Sequence, residues 1–242
     1  MIYASPVTSE PTIRERQRAV EEQRLHRTRQ TIATVPIFLF TAFAILWAIP
    51  ATRDLATGRD ERNPVEIVTF LAMLVAGFMA IRLSMRVWRL GHSVLTTVFF
   101  VLFGLVAFAV AGDEIAWGQV VVDLFRDGAD AAAASEVGLH EIDALKGRTE
   151  WLRLGFGAVG ILGVFISPLS RLRFLRAPME LLPWLVVIAG LSFLDVVDSY
   201  IDLGAGFSDF LVRVAELTEM MVAVVVLLYI WERTRDMWFR IP

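Results

Sequence analysis

Six apolar stretches, each about as long as a membrane-spanning helix, constrain the fold of this chain more than any other feature. A helix needs about 20 apolar residues to cross the hydrocarbon layer of a bilayer. The mean hydropathy is +0.60 and 56% of the residues are hydrophobic, and the excess is concentrated in these stretches, unlike in a soluble domain. Barrel strands would instead alternate over about 10 residues. The sequence therefore predicts an all-α fold, a polytopic membrane helix bundle.

The predicted bundle has six transmembrane helices. Asn63, Pro64 and Glu66 form a helix-start signal for the second helix, and Ser93 and Thr149 are candidate N-caps for the third and fourth. In chain order, the predicted spans are residues 31–51, 64–85, 93–111, 151–167, 180–197 and 213–231.

The placement of arginine predicts the orientation of the bundle. Of the 23 lysines and arginines, fifteen fall in the two termini and in the even-numbered connections. Basic loops stay in the cytoplasm of membrane proteins, so we expect both termini to be cytoplasmic. These fifteen are Arg14, Arg16, Arg18, Arg24, Arg27, Arg29, Arg82, Arg86, Arg89, Arg171, Arg173, Arg176, Arg233, Arg235 and Arg240.

The chain divides into a charged N-terminal arm, residues 1–30, and a six-helix membrane domain, residues 31–242, with an outer loop at 112–150. The arm is rich in Arg, Glu and Gln and is predicted to be helical from Pro11. One interpretation is a solvated helix held by i,i+4 ion pairs. The other is a docking arm for a partner or anionic lipid. Its docking residues would be Arg14, Arg16, Arg18, Arg24, Arg27 and Arg29.

Two adjacent carboxylates, Asp113 and Glu114, directly follow the third apolar stretch. Charge at a membrane boundary is costly unless it is solvated, paired or bound. The simpler interpretation is an acid pair that is solvated or paired with Arg153 or Arg213. The sharper one is a ligand or a proton-handling carboxylate inside the bundle.

A second acidic pair, Glu216 and Glu219, lies on one face of the predicted sixth helix, near Arg213. Glu219 falls inside the apolar layer, where a charge costs about 2.5 kcal/mol or more, so it should face protein. An Arg213–Glu216 ion pair would account for the first of these glutamates.

One histidine, His140, lies in the outer loop beside Glu136. If this loop folds back over the helix ends, His140 could join Glu114, Glu216 and Glu219. Imidazole and carboxylates can hold zinc, iron or manganese, so a divalent metal is possible, although the spacing is not diagnostic. A separate acidic rim would be either a solvated helix end or an attraction for divalent cations. It comprises Asp195, Asp198, Asp202 and Asp209.

The outer motifs resemble those of a group of bacterial polytopic inner-membrane proteins to which no activity is attached. Members carry Glu-Glu-Ile-Ser-Trp-Gly-Gln-Arg after a membrane helix, Glu-x-Asn-Leu-His-Asn in the next loop, and a glutamate-rich start to the last helix. The matching positions here are residues 113–120 and 136–141, with Glu216 and Glu219. This chain keeps Glu114, Gln119, Glu136 and His140 and lacks a hydroxyl, a basic group and two amides. The resemblance implies a bacterial inner membrane and a weakened site.

Three functions follow as expectations. The first is a non-enzymatic integral subunit, a scaffold, of a larger photosynthetic or respiratory complex, with other membrane subunits and structural lipid as partners. The second is a metal-dependent enzyme acting on a lipid or lipid-linked substrate at the outer face. The third is a proton- or ion-coupled carrier that titrates Glu219. The chain has no cysteine, which excludes thiol chemistry, and no nucleotide or hydrolase motif. We expect no nucleic-acid partner.

Overall fold

The fold is all-helical in the part of the chain that the computed structural model describes. That part comprises residues 13–49, 64–91, 93–114, 149–165, 175–201 and 203–239. It contains six α-helices and one 3-10 turn, Met179–Leu181. The helices are α1 (Ile13–Ala48), α2 (Pro64–Arg89), α3 (Val94–Glu114), α4 (Thr149–Phe165), α5 (Leu182–Tyr200) and α6 (Ala205–Phe239).

The first and last helices are much longer than a membrane requires. Helix α1 has 36 residues and α6 has 35, so each is more than 50 Å long at about 1.5 Å per residue. Helix α1 runs without a break from the charged arm into its apolar part, with Pro36 inside it. Hydropathy outlines only the apolar part of such a helix, which explains why the predicted sixth span starts and stops eight residues short at each end.

Local start and stop signals fix the other boundaries closely. Helix α2 begins at Pro64, as predicted. The amide of Thr97 donates to the carbonyl of Ser93 (3.2 Å), which makes Ser93 the residue that precedes α3. Gly91 has a φ of 70°, and this left-handed conformation ends α2 and allows the short connection to α3.

Close packing relies on glycine at two helix contacts, that of α2 with α3 and that of α4 with α5. Helix α2 packs along α3 and α6, and α5 packs against α4 and α6. A Cβ at Gly157 would lie 2.9 Å from the backbone nitrogen of Ala189, and one at Gly77 would lie 2.8 Å from the ring of Phe108. Gly155, by contrast, has no atom within 4 Å of such a Cβ. The face of α4 that carries Gly157 therefore packs closely on α5, whereas the face that carries Gly155 does not.

The core forms two clusters along the bundle. The larger one joins α2, α3, α4, α5 and α6 around Trp184, Ile188, Met221 and Ile230. The smaller one, between α2, α3 and α6, consists mostly of alanine, which lets three helices approach closely. Its buried residues are Ala72, Met73, Ala76, Ala107, Ala111, Ala223 and Val226.

Large apolar side chains are exposed on all six helices, among them Phe38, Phe78, Val106, Val159 and Val212. Apolar surface of this extent requires an apolar environment or a partner. Within the described residues, four stretches are long and apolar enough to cross a membrane: His26–Leu46, Ile67–Arg89, Val94–Asp113 and Met179–Tyr200. The fold is therefore that of a helical membrane protein. Helices α4 and α6 are outside this set of four, and a count of six spans remains a prediction.

Candidate functional site at the acidic end of the bundle

A single arginine joins three helices at one end of the bundle. Arg153 of α4 donates from Nη2 to Asp195 of α5 (2.6 Å) and from Nη1 to Glu219 of α6 (2.7 Å). The Arg153 side chain is only 10% exposed. These are short, charge-assisted hydrogen bonds, and each crosses between helices. We call this region the acidic end, and it comprises Asp113, Glu150, Asp195, Asp198, Glu216 and Glu219 with the arginine that they surround.

The helix periodicity explains how Arg153 reaches both acids. Arg153 precedes Gly157 and Gly160 by four and seven residues, so all three lie on the face of α4 that packs on α5. Asp195 follows the buried residues Ile188 and Leu191 by seven and four residues. It therefore points from α5 toward the inside of the bundle, where the guanidinium meets it.

Glu219 meets a protein partner, as its expected position in an apolar layer predicts, although 44% of its side chain is exposed. Its partner is Arg153 rather than Arg213. Arg213 lies instead near Glu216, at 3.7 Å and one turn away on the same helix. From the sequence, either arginine was a possible partner for the acids of this region. In the structure, Arg153 binds Glu219 and Arg213 lies near Glu216.

Negative charge exceeds positive charge around Arg153. Asp113 and Glu216 lie close enough to Glu219 to repel it, and Glu150 and Asp198 do the same to Asp195. The arginine therefore provides the positive charge that stabilises this group of carboxylates. Because it occupies the position between two of them, it also stands where a cation bound to both would have to lie.

The predicted acidic rim does not form one group. Asp195 is bound to Arg153, whereas Asp198 accepts hydrogen bonds from the amide of Leu203 (3.2 Å) and the hydroxyl of Ser208 (3.0 Å). Asp198 thus stabilises the connection between α5 and α6. Asp209 is exposed on the first turns of α6, and Asp202 lies outside the described residues.

Only part of the predicted polar site can be placed. Glu114 is the last residue of α3, next to Asp113, and Glu216 and Glu219 lie on α6. Gln119, Glu136 and His140 lie outside the described residues, so their convergence with these glutamates stays a prediction. Within the described ranges, no three His, Cys, Asp or Glu side chains form a group that could hold a metal ion.

No family model, curated protein or solved structure matches this chain. The resemblance of the outer motifs to the bacterial membrane group therefore remains a prediction.

The opposite end of the bundle is held together differently. Here Arg29 of α1 pairs with Glu180 (3.1 Å), and the indole of Trp184 donates to the carbonyl of Ile32 (2.7 Å). Two further pairs, Arg233–Asp236 and Arg235–Glu232, lie within α6, each at 3.2 Å. We call this the basic end, and it comprises Arg29, Arg89, Arg176, Arg233 and Arg235.

Glu232 is the buried acid of the basic end, with 9% of its surface exposed. Burial raises the pKa of this carboxyl above its ordinary value, and the nearby Arg235 partly opposes the shift. Asp236 and Glu180 raise the pKa further by repulsion, and Arg29 lowers it. Glu232 therefore responds to charges from α1, α6 and the 3-10 turn at once.

Several of these contacts were not predicted from sequence. Helix α1 is attached by the hydrogen bond from Trp184 to Ile32 and by the ion pair of Arg29 with Glu180. No local sequence pattern predicts these two contacts. The position of Arg153, by contrast, could have been predicted. Its i,i+4,i+7 spacing with Gly157 and Gly160 places its charge on a packed face of the helix.

Proposed function

We propose that this protein is a non-enzymatic integral subunit, with a scaffold role, of a larger bacterial inner-membrane complex of the photosynthetic or respiratory kind. In this proposal it crosses the membrane six times and keeps both termini in the cytoplasm. The observation that carries the proposal is the poor attachment of α1 to the rest of its own chain.

Helix α1 is packed far less than its neighbours. Only 6% of its apolar stretch, His26–Leu46, is buried, compared with 44% of the apolar stretch in α2 and 39% of the stretch Met179–Tyr200. Its main contacts are with α5 and the 3-10 turn. Most of the length of α1 is therefore available to lipid or to another subunit.

The charged part of α1 supports docking to protein. The apolar stretch of α1 begins at His26, and the helix itself begins at Ile13. The charged part between them is about 20 Å long. Arg24 and Val20 are exposed there, and Val20 is 56% exposed. A charged helix with an exposed apolar side chain is suited to lie against a partner subunit.

The acidic end favours the same conclusion. Arg153 binds Asp195 and Glu219 in a closed arrangement that links three helices. Such a group stabilises a fixed bundle geometry without needing a substrate or a metal.

A second candidate is a proton- or ion-coupled carrier. It is favoured by the charge imbalance at the acidic end, where two carboxylates share one guanidinium and Glu219 is 44% exposed. A carrier requires Glu219 to exchange a proton or ion, so Glu219→Gln would abolish pH-dependent flux in proteoliposomes. A scaffold shows no such flux in the wild type.

The proposed function is tested by removing residues 1–25 from the chromosomal copy and comparing the complexes extracted in mild detergent. We expect the truncated protein to reach the membrane and to lose its co-purifying subunits. The matched control is Arg82→Gln, which removes an exposed arginine outside the arm and should leave the subunits bound. Unchanged co-purification after truncation would contradict docking through the arm.

A further inference from the structure

A groove lies between α2 and α3 at the basic end of the bundle. It has a volume of about 270 Å³ and is lined by Ser84, Met85, Trp88, Arg89, Thr97 and Val101. Since one water occupies about 30 Å³, the groove has room for a segment of chain rather than for a single solvent molecule. We propose that it binds one anionic phospholipid, with an acyl chain in the groove and the phosphate on Arg89.

The depth of the groove in the membrane fits this ligand. Arg89 is the last residue of α2 and of the apolar stretch Ile67–Arg89. The neighbouring Trp88 is 62% exposed. Tryptophan and arginine at the end of a membrane helix are typical of the level of the lipid headgroups. The groove therefore opens where a phospholipid phosphate lies.

The charge of the groove is complementary to a phosphate. Arg89 is exposed, and no carboxylate among the described residues forms an ion pair with it. Arginine binds phosphate through two parallel N–H donors. The remaining lining side chains are apolar or hydroxylic, so nothing in the groove repels an anion.

A buried hydroxyl in the groove lacks a hydrogen-bond partner. The Oγ1 atom of Thr97 is buried and unpartnered among the described residues, whereas the hydroxyl of Ser84 donates to the carbonyl of Ile81 (2.7 Å). A buried hydroxyl without a partner costs free energy. Rotation of the Thr97 side chain toward the groove would let a phosphate or ester oxygen of a lipid seated on Arg89 accept from this hydroxyl, which would remove that cost.

The apolar side of the groove accommodates the acyl chain. Met85 lies one turn before Arg89 on α2, and Val101 lies one turn after Thr97 on α3. From the phosphate position the lining thus becomes apolar in the direction of the membrane interior. This order, cation first and hydrocarbon beyond it, matches the order of groups in a phospholipid. The proposal rests on the membrane character of the fold and is independent of the subunit role.

The test is native mass spectrometry of the purified full-length protein titrated with phosphatidylglycerol. We expect one lipid to bind more tightly than all others and Arg89→Gln to weaken it about tenfold, the loss of one charge-assisted contact. Val101→Phe, which fills the groove, should weaken it to a similar extent. The control Arg176→Gln removes an arginine of the basic end that does not line the groove, and it should leave binding unchanged.

Two further readouts separate this site from general attraction to a basic surface. Thr97→Val should weaken phosphatidylglycerol binding and, without added lipid, should leave the melting temperature unchanged or higher. Equal loss in Arg176→Gln and Arg89→Gln would overturn the proposal. So would equal affinity for zwitterionic phosphatidylcholine, or full binding retained in Val101→Phe.

Discussion

The two ends of the bundle use charge in opposite ways. At the acidic end, one nearly buried arginine connects acids on two other helices, so its bonds hold α4, α5 and α6 in place. At the basic end, Arg233–Asp236 and Arg235–Glu232 lie within one helix, and α1 is held by Trp184 and by a half-exposed pair. Ion pairs fix the arrangement of three helices at the acidic end. At the basic end, most ion pairs lie within a single helix and do not connect it to another.

The largest effect should follow from Arg153→Met. The variant leaves Asp195 and Glu219 without their shared counter-charge, and breaking a buried pair from one side costs about 3–5 kcal/mol. We expect the melting temperature in mild detergent to fall by roughly 10 °C. Arg213→Met is the matched control, since its ion pair is 3.7 Å long and within one helix. An equal fall in both variants would refute the difference between inter-helix and intra-helix pairs.

The two acids bound to Arg153 should contribute unequally to the stability of the protein. Asp195→Asn should destabilise the protein by about 1.5–3 kcal/mol, the range for hydrogen bonds to charged groups. Glu219→Gln should cost less, because Glu219 is 44% exposed and Asp195 is 24% exposed. Denaturation of the two variants in parallel measures the difference. Complete loss of Glu219→Gln from the membrane would contradict a scaffold role for this residue.

The packing beneath the acidic end can be tested without changing charge. Gly157→Ala places a Cβ 2.9 Å from the backbone of Ala189, so α4 and α5 must separate, at a cost of about 1–3 kcal/mol. Gly155→Ala meets no atom within 4 Å and should be neutral or stabilising by up to about 1 kcal/mol. Thermal unfolding of the two variants decides the matter, and a stabilised Gly157→Ala would show that the close approach is not needed.

The attachment of α1 should be weak but measurable. Trp184→Phe removes the hydrogen bond to the carbonyl of Ile32, which costs about 1 kcal/mol, and leaves a cavity in the core that adds to this cost. Arg29→Gln should cost less, because the arginine side chain is 52% exposed and exposed ion pairs contribute little. Limited proteolysis of α1 provides the readout. If Arg29→Gln releases α1 more readily than Trp184→Phe, the ion pair and not the indole anchors this helix.

The smallest effect is a pH dependence at the basic end. The raised pKa of Glu232 means that the folded protein holds this proton more tightly than the unfolded chain does. Below the ordinary glutamate range the effect on stability is absent. As the pH rises above about 4.3 toward the folded pKa, stability falls, and the loss persists at higher pH. Glu232→Gln should flatten this part of a melting-temperature profile, and an unchanged profile would exclude Glu232 as its source.

Sequence reasoning succeeded where the signal was local. The apolar stretches predicted a helical membrane fold, and Pro64 and Ser93 marked helix starts. It failed at contacts between distant residues. The choice of Arg153 over Arg213 as the partner of Glu219 depends on how α4 rotates when Gly157 packs on Ala189. Hydropathy also cut α6 short, because the helix extends through Asp209 at one end and Arg233 at the other, outside its apolar core.

The most direct test of the central claim is the mass of the native particle after extraction from its own membrane in mild detergent, with identification of everything that co-migrates. A subunit predicts a particle much heavier than the 27.1 kDa chain, with other membrane proteins present in fixed ratios. A monomer, or a particle built only from copies of this chain, would contradict the subunit proposal and direct attention to ion exchange at the acidic end.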